Sequence, residues 1–117
     1  MRFINKIKNM KKVAIVGSGG GMSCAYFAGA ILALVRELNF TKPYLAIGSS
    51  GSTGTLAYYV SEQYDSIEHI WSNLLSSKEF ISLIRINKIM DIDYLIDEVF
   101  KKQDILDVDK LKSSKIK

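Results

Sequence analysis

Two short turns rich in glycine and serine contain the residues best suited to chemistry. The second turn follows a short apolar run and reads Gly48-Ser49-Ser50-Gly51-Ser52. Ser50 occupies the central place of G-x-S-x-G, in which a sharp strand-to-helix turn exposes a serine hydroxyl for nucleophilic attack. Gly48, Gly51 and Ser52 are the small residues that such a turn needs, although Ser52 stands where the motif has glycine. We therefore predict Ser50 as the catalytic nucleophile, with a plain Ser/Gly loop as the alternative.

The first turn, residues 17–23, reads Gly-Ser-Gly-Gly-Gly-Met-Ser and precedes a run with helical spacing. N–H groups at a helix start have no intrahelical partner and carry partial positive charge, so such a turn can stabilise an anion. We predict that the backbone around Gly19, Gly20, Gly21 and Met22 forms an oxyanion hole. The alternative is a tight turn without a ligand.

The elements that must position these turns are two strands and two helices. Residues 13–16 and 44–47 are short apolar runs that predict strands, the first of them buried on both faces. Apolar spacing predicts a helix from residue 24 to about residue 39, in which Gly29 indicates close packing, and a second helix over residues 53–61. This order implies parallel strands joined by a right-handed crossover, so both turns lie at one edge of the sheet. Ser50 would then face the glycine turn, as acyl transfer requires. The sequence shows no third strand.

Beyond residue 62 the pattern predicts short helices. Two capping boxes mark expected helix starts: Asp65 with Glu68, and Ser76 with Glu79. Asp91 is expected to cap a helix with an apolar stripe at residues 92, 95, 96, 99 and 100, and Asp107 is expected to begin a last one.

Composition limits the function classes. A chain of 117 residues, 48% apolar, forms one domain at most, and its single cysteine excludes an internal disulfide or a Cys-based zinc site. We expect no metal, no cofactor and a cytoplasmic location.

The first twelve residues carry five bases and no acid, whereas residues 13–100 carry five bases and nine acids. This distribution disfavours nucleic-acid binding. The basic ends are most simply solvated, and peripheral contact with an anionic membrane surface is the alternative. We divide the chain into a basic extension, residues 1–11, and a domain portion, residues 12–117.

Residues 13–35 form an uncharged run long enough to cross a membrane. Glycines at positions 17, 19, 20 and 21 interrupt it, however, and flexible exposed backbone is costly in lipid. We expect a strand, a turn and a helix instead, and no signal peptide.

The two turns resemble those of the patatin-like phospholipase family, over roughly residues 12–117. That family opens with a strand, a G-G-G-x-[RK]-G oxyanion loop and a helix, followed by a strand carrying G-x-S-x-G. Here Gly19, Gly20 and Gly21 match the loop glycines and Ser50 matches the nucleophile, whereas Ser23 and Cys24 replace the basic residue and the last glycine. The runs at residues 93–97 and 107–111 also look like the helical region before the family's third strand.

The resemblance implies a three-layer α/β/α fold with a mainly parallel sheet, of which this chain has the first two strands and the following helices. It implies hydrolysis of lipid acyl esters by a Ser-Asp dyad whose aspartate lies in D-G-[AG]. That motif is absent from these 117 residues, and none of the helical or capping acids replaces it: Asp91, Asp93, Asp97, Asp104, Asp107 and Asp109. We expect residues 1–117 alone to be inactive and poorly monomeric.

The remaining candidates are assigned structural roles. His69 follows Ser50 too closely to match an α/β-hydrolase triad. Cys24 is expected to be a small apolar helix residue. Trp71 is expected in the core with Tyr58, Tyr59 and Tyr64.

Two alternatives to the hydrolase stay open. One is a non-catalytic truncated or degenerate relative. The other is a dinucleotide-binding Rossmann domain, in which Gly17 and Gly19 fit but Met22 occupies the third glycine position and Glu37 falls within a helix.

Overall fold

Two parallel strands form the sheet. The computed structural model describes residues 12–82 and 89–117, so the expected basic extension, residues 1–11, lies outside the described residues. Strand β1 is Ala14–Gly17 and strand β2 is Leu45–Gly48. They pair in parallel with Gly17 opposite Gly48, so both strands end in glycine at the same edge. The mixed α/β class and the parallel pairing are confirmed.

The crossover between the strands is helical. A 3₁₀ turn, Gly21–Ser23, leads into helix α1, Cys24–Leu38. Helix α2, Gly51–Val60, follows β2 after Ser49 and Ser50. Asn39 ends α1 in the left-handed conformation (φ 49°) and donates its N–H to the carbonyls of Leu34 and Val35. Such a cap is typical of helix C-termini.

The rest of the described chain consists of short helices, two of them π-helical. Helix α3, Tyr64–His69, continues as a π-helical turn, Ile70–Leu74; a π-helix, Tyr94–Gln103, and helix α4, Val108–Ser113, follow. The Asp91 carboxylate accepts the Tyr94 N–H at 3.0 Å, and the Asp107 carboxylate accepts the Lys110 N–H at 2.8 Å. Both predicted caps are therefore confirmed.

The predicted helix start near residue 65 is confirmed to within one residue, because α3 begins at Tyr64, but the predicted capping boxes are wrong. Gln63 occupies the N-cap of α3 without a capping side-chain hydrogen bond, so Asp65 lies inside the first turn. Ser76 begins no helix, because residues 75–80 form turns and its hydroxyl donates to the Ser72 carbonyl at 2.8 Å. A serine hydroxyl that bonds back to the carbonyl four residues earlier does not cap the following N–H groups.

The core lies on one face of the sheet. It contains residues from β1, α1, α2, α3, the two π-helical segments and the turns at residues 75–80: Ile15, Ala28, Ile31, Leu56, Tyr58, Tyr59, Ile67, Ile70, Leu75, Phe80 and Val99. On the other face Val16 is 66% exposed and Ile47 is 49% exposed. Successive strand residues point to opposite faces, and the described helices cover only one of them. The expectation that β1 is buried on both faces is therefore wrong for the described residues.

The outer edge of β2 is engaged by residue Lys117. Its N–H donates to the Tyr44 carbonyl at 3.2 Å, and its carbonyl accepts the Ala46 N–H at 2.7 Å. This is the bonding pattern of a parallel ladder. The chain thus reaches the position of a third parallel strand, which the sequence pattern did not show.

Helix α1 differs from expectation in one respect. The predicted division of residues 13–35 into strand, turn and helix is confirmed, although the segment Gly21–Leu38 has by itself the length and apolarity of a membrane-crossing helix. Gly29 has open space where a Cβ atom would be, so the predicted close packing at this glycine is wrong. Gly29 is exposed, whereas Ala28 and Ile31 are the α1 residues that enter the core.

Candidate active site

Ser50 lies at the strained corner between β2 and α2. It is exposed and adopts φ 54° and ψ −128°, a conformation that side-chain-bearing residues rarely take. Such backbone costs about 1–3 kcal/mol and persists where the surrounding structure fixes it. A serine on a strained strand-to-helix turn presents its hydroxyl above the sheet. The conformation of Ser50 therefore has the form that the motif predicts for a nucleophile.

The small residues of this turn are required by close contacts. A Cβ atom on Gly48 would lie 2.8 Å from Cα and 2.9 Å from the backbone nitrogen of Thr53, which cannot move without shifting α2. A Cβ atom on Gly51 would lie 3.0 Å from Cβ and 3.1 Å from Sγ of Cys24. Cys24 is 2% exposed at the start of α1. Cys24 is thus the buried, small side chain that was expected, and it packs against the turn at residues 48–52, which we call the nucleophile turn after the role predicted for Ser50.

Ser52 is buried within the turn. Its hydroxyl oxygen lies 2.8 Å from the Gly17 carbonyl, 2.8 Å from the Ser49 carbonyl and 2.9 Å from the Ser49 backbone nitrogen. The serine that departs from the motif therefore contacts both the end of β1 and the residue before Ser50.

The glycine turn after β1 is built around two glycines with positive φ. Gly20 has φ 152° and Gly21 has φ 56°, and Ser23 closes the turn by donating its N–H and hydroxyl to the Gly20 carbonyl. In the part of the chain that the structure describes, no hydrogen bond engages the N–H groups of Gly19, Gly20, Gly21 or Met22. These donors remain available to a ligand oxygen.

The two turns lie side by side. A Cβ atom on Gly19 would lie 3.3 Å from Ser50 Cβ and 3.4 Å from Ser49 Oγ. The Ser49 N–H also donates to the Gly17 carbonyl at 3.1 Å, which continues the pairing of the strands into the turns. The structure thus brings together the residues predicted for the nucleophile and the oxyanion hole.

A cavity of about 560 Å³ lies beside Ser50. Its size falls within the range of small-molecule sites. Gly21, Met22 and Ser50 line one part, and most of the wall is apolar, with aromatic and long aliphatic side chains that include Ile70, Trp71, Leu75, Phe80, Met90, Leu95, Ile96 and Phe100. An extended apolar group attached to an ester carbonyl at Ser50 can occupy this space.

The two π-helical segments supply much of the cavity wall. Ile70 and Trp71 come from one, and Leu95, Ile96 and Phe100 come from the other. π-Helical turns are rare and occur frequently at functional sites. Trp71 donates its indole N–H to Thr55 Oγ1 at 2.9 Å and lines the cavity. Trp71 and Tyr64 are partly buried and pack against the core, as predicted. Tyr58 and Tyr59 do belong to the core.

Tyr58 is the single ionisable side chain among the described residues that line the cavity. Burial, followed by the charge of Asp104, raises the pKa of its phenol, and its hydroxyl donates to the Asp104 carbonyl. The phenol therefore stays neutral and is not a general base at neutral pH. His69 is exposed, pairs with the Asp104 carboxylate and does not line the cavity. Among the described residues, the predicted nucleophile Ser50 and the backbone donors of the glycine turn lie together, and Tyr58 is the one ionisable side chain that lines the cavity beside them.

Sequence reasoning missed the cavity-lining residues. Apolar residues at helical spacing give the same pattern whether they face a filled core or an open pocket. Within residues 12–82 and 89–117, no group of three or more His, Cys, Asp or Glu side chains is arranged to hold a metal ion.

The chain matches no known protein family, no curated protein and no solved structure.

Proposed function

We propose that this chain supplies the nucleophile and the oxyanion hole of a serine acyl hydrolase that acts on lipid esters, of the patatin-like type. One observation carries the proposal: Ser50 occupies a strained strand-to-helix turn that lies against the glycine turn and borders an apolar cavity of about 560 Å³. A loop without function needs neither the strained serine nor the adjoining cavity.

The proposed reaction is acyl transfer through Ser50. Its Oγ attacks the ester carbonyl, and N–H groups from Gly19 to Met22 stabilise the oxyanion that forms. The alcohol leaves with a proton, and water then cleaves the acyl-enzyme to release a carboxylic acid. The base that takes the Ser50 proton is the aspartate of a Ser-Asp dyad, which we place outside these 117 residues because they contain no D-G-[AG] motif.

The cavity favours an acyl chain as the group bound beside Ser50. Charged side chains are absent from its described wall, and the hydroxyls of Thr55 and Tyr58 are already hydrogen-bonded. Burying a polar head group there leaves its hydrogen bonds unmade, whereas burying methylenes contributes about 0.8 kcal/mol each. The polar part of the lipid therefore stays outside.

Charge supports peripheral contact with an anionic membrane. Five bases and no acid occur in the first twelve residues, and six lysines against three aspartates occur in residues 101–117. Each base near an anionic surface contributes about 1 kcal/mol. We expect the intact protein to sediment with vesicles of phosphatidylserine and phosphatidylcholine but not with phosphatidylcholine alone, and to be released by high salt. Equal sedimentation with both would contradict an electrostatic contact.

The nucleophile is tested by reacting the intact protein with a fluorophosphonate and mapping the labelled peptide. We expect Ser50 to be labelled, Ser50→Ala to abolish both labelling and hydrolysis of a long-chain acyl ester, and Ser72→Ala to retain both. Ser72 is the matched control because it is an exposed serine on another element. Full ester hydrolysis by Ser50→Ala would show that the nucleophile is elsewhere.

A second candidate is a non-catalytic relative that binds acyl chains. It is favoured by one observation, the lack of any ionisable side chain other than Tyr58 in the described cavity wall. This candidate predicts binding of the fluorescent fatty acid cis-parinarate with no fluorophosphonate labelling, whereas the hydrolase predicts both. The dinucleotide alternative has weaker support, because Met22 lines the cavity and Glu37 is an exposed residue of α1 rather than the end of β2.

A further inference from the structure

We propose that Ser52 is a positioning residue for Ser50: its buried hydroxyl fastens the nucleophile turn to the end of β1, where the oxyanion loop begins. The inference rests on the proposed function for its catalytic meaning. Its structural basis is independent of that function, since it consists of contacts between described residues.

The Ser52 hydroxyl is enclosed by protein. Ser52 is 0% exposed, so its polar group has no access to bulk water. Ser52 Oγ lies 2.8 Å from the Gly17 carbonyl and 2.8 Å from the Ser49 carbonyl, and it accepts the Ser49 N–H at 2.9 Å. A hydroxyl has one hydrogen to donate and two lone pairs to accept with. The Ser52 hydroxyl can therefore accept the Ser49 N–H while it donates its hydrogen to either the Gly17 carbonyl or the Ser49 carbonyl.

The Ser52 side chain occupies space that Gly17 leaves open. A Cβ atom on Gly17 would lie 2.7 Å from Ser52 Cβ and 2.7 Å from Cζ of Phe27. The lack of a side chain at Gly17 thus makes room for the side chain at position 52. The G-x-S-x-G motif has glycine at the fifth position, and here a serine occupies that position while Gly17 supplies the space. Ser52 therefore belongs to a packed, hydrogen-bonded contact between the end of β1 and the turn after β2, which we call the Ser52 joint. The departure from the motif at this position thus has a structural explanation.

Contacts on both sides of Ser50 hold its backbone in place. Ser49 immediately precedes Ser50, and Ser52 contacts both its N–H and its carbonyl. On the other side Gly51 packs against Cys24. The strained backbone of Ser50 is therefore held from both directions, and the Gly17 contact also sets its position relative to Gly19. Loss of the hydroxyl should let Ser50 relax toward an unstrained conformation away from the oxyanion donors.

The test compares Ser52→Ala with Ser61→Ala in the intact protein. Ser61 is the matched control, because it is also 0% exposed, lies at the other end of α2 and donates its hydroxyl within 3.2 Å of nearby carbonyls. We expect Ser52→Ala to lower kcat for a long-chain ester by about 10- to 100-fold with KM nearly unchanged, because the cavity is not altered. Ser61→Ala should leave both constants near the wild-type values, although both variants lose a buried hydrogen bond.

Amide hydrogen exchange on the same three proteins provides a readout that does not need activity. Faster exchange confined to residues 17–20 and 48–52 is expected in Ser52→Ala and not in Ser61→Ala. If the wild type is labelled at Ser50 but Ser52→Ala reacts like Ser61→Ala, the positioning role is wrong and the proposed function stands. If the wild type is not labelled, the proposed function and the catalytic role of Ser52 both fail, and exchange still decides whether the joint exists. Unchanged exchange in Ser52→Ala would overturn the joint itself.

Discussion

Gly19 and Ser50 lie against each other at the carboxyl edge of the sheet, so close that a Cβ atom on Gly19 would lie 3.3 Å from Ser50 Cβ. The contact arises because Gly17 and Gly48 pair in register and each is followed by a turn on the same side of the molecule. Strand ends of this kind are where open α/β sheets form ligand sites. The proximity of a strained serine and a loop of free N–H groups connects the fold to the proposed acyl transfer.

The first prediction concerns Gly19. Replacement by valine introduces atoms that must displace Ser50 or the loop, so we expect fluorophosphonate labelling of Ser50 to slow by about 10²-fold, the loss typical of a disturbed oxyanion hole. Because Gly19 is exposed, the displaced atoms can move toward solvent, so we expect the free energy of unfolding to fall by no more than about 1 kcal/mol. Gly29→Val serves as the control, because position 29 is open and outside the site. An unchanged labelling rate in Gly19→Val would contradict the predicted oxyanion hole.

Gly48 and Gly29 are expected to respond to alanine in opposite directions. In Gly48→Ala the new Cβ atom meets the Thr53 backbone, so we expect a destabilisation of about 1–3 kcal/mol. In Gly29→Ala the Cβ atom enters open space within α1, so we expect a stabilisation of about 0.5–1 kcal/mol. Urea denaturation of both variants measures the difference. Similar free energies of unfolding in the two variants would mean that the turn after β2 is not packed as described.

Leu95 offers a way to shorten the cavity. It lines the cavity from the π-helix Tyr94–Gln103, so Leu95→Trp places a larger side chain into empty space. We expect affinity for cis-parinarate to fall at least about tenfold and hydrolysis to shift toward short-chain esters, since the long chain loses its apolar contacts. Ile105→Trp, at an exposed residue that does not line the cavity, is the control. Equal chain-length profiles in the two variants would place the acyl chain elsewhere.

Two buried tyrosines, Tyr58 and Tyr59, should lower the free energy of unfolding at alkaline pH. Burial raises the pKa of the Tyr58 and Tyr59 phenols, with added contributions from the charge of Asp104 and from Tyr64. A raised pKa in the folded state means that folding favours the neutral phenol. This contribution is fully present below the unfolded phenol pKa of about 10 and is lost as pH rises above that value.

We therefore expect the free energy of unfolding to decline above about pH 10, and to decline less steeply in Tyr58→Phe, which has one such phenol fewer. Urea denaturation at several alkaline pH values measures the slope, and phenolate absorbance reports the ionisation. An identical slope in the wild type and in Tyr58→Phe would exclude Tyr58 as a source of the decline.

The helix boundaries show where local sequence information was sufficient. Asp91 and Asp107 cap the helices that they were predicted to cap, because each carboxylate accepts the N–H of the residue three positions later. Ser76 matches the same local rule and fails, because its hydroxyl bonds to the Ser72 carbonyl instead. Capping is thus predictable from sequence only where the side chain does not bond to a competing backbone carbonyl.

The sequence by itself determined the two strand–turn–helix units and the position of Ser50 and Gly19 within their turns. Short apolar runs that end in glycine, followed by helical periodicity, are local properties and need no distant contact. The tertiary structure decided which distant groups meet: the Ser52 hydroxyl at the Gly17 carbonyl, Trp71 at Thr55, and the cavity between the two π-helical segments. It also left Val16 exposed on a strand whose composition suggested burial on both faces. Periodicity shows which side of an element is apolar, but only three-dimensional packing decides whether that side meets another element, a cavity or solvent.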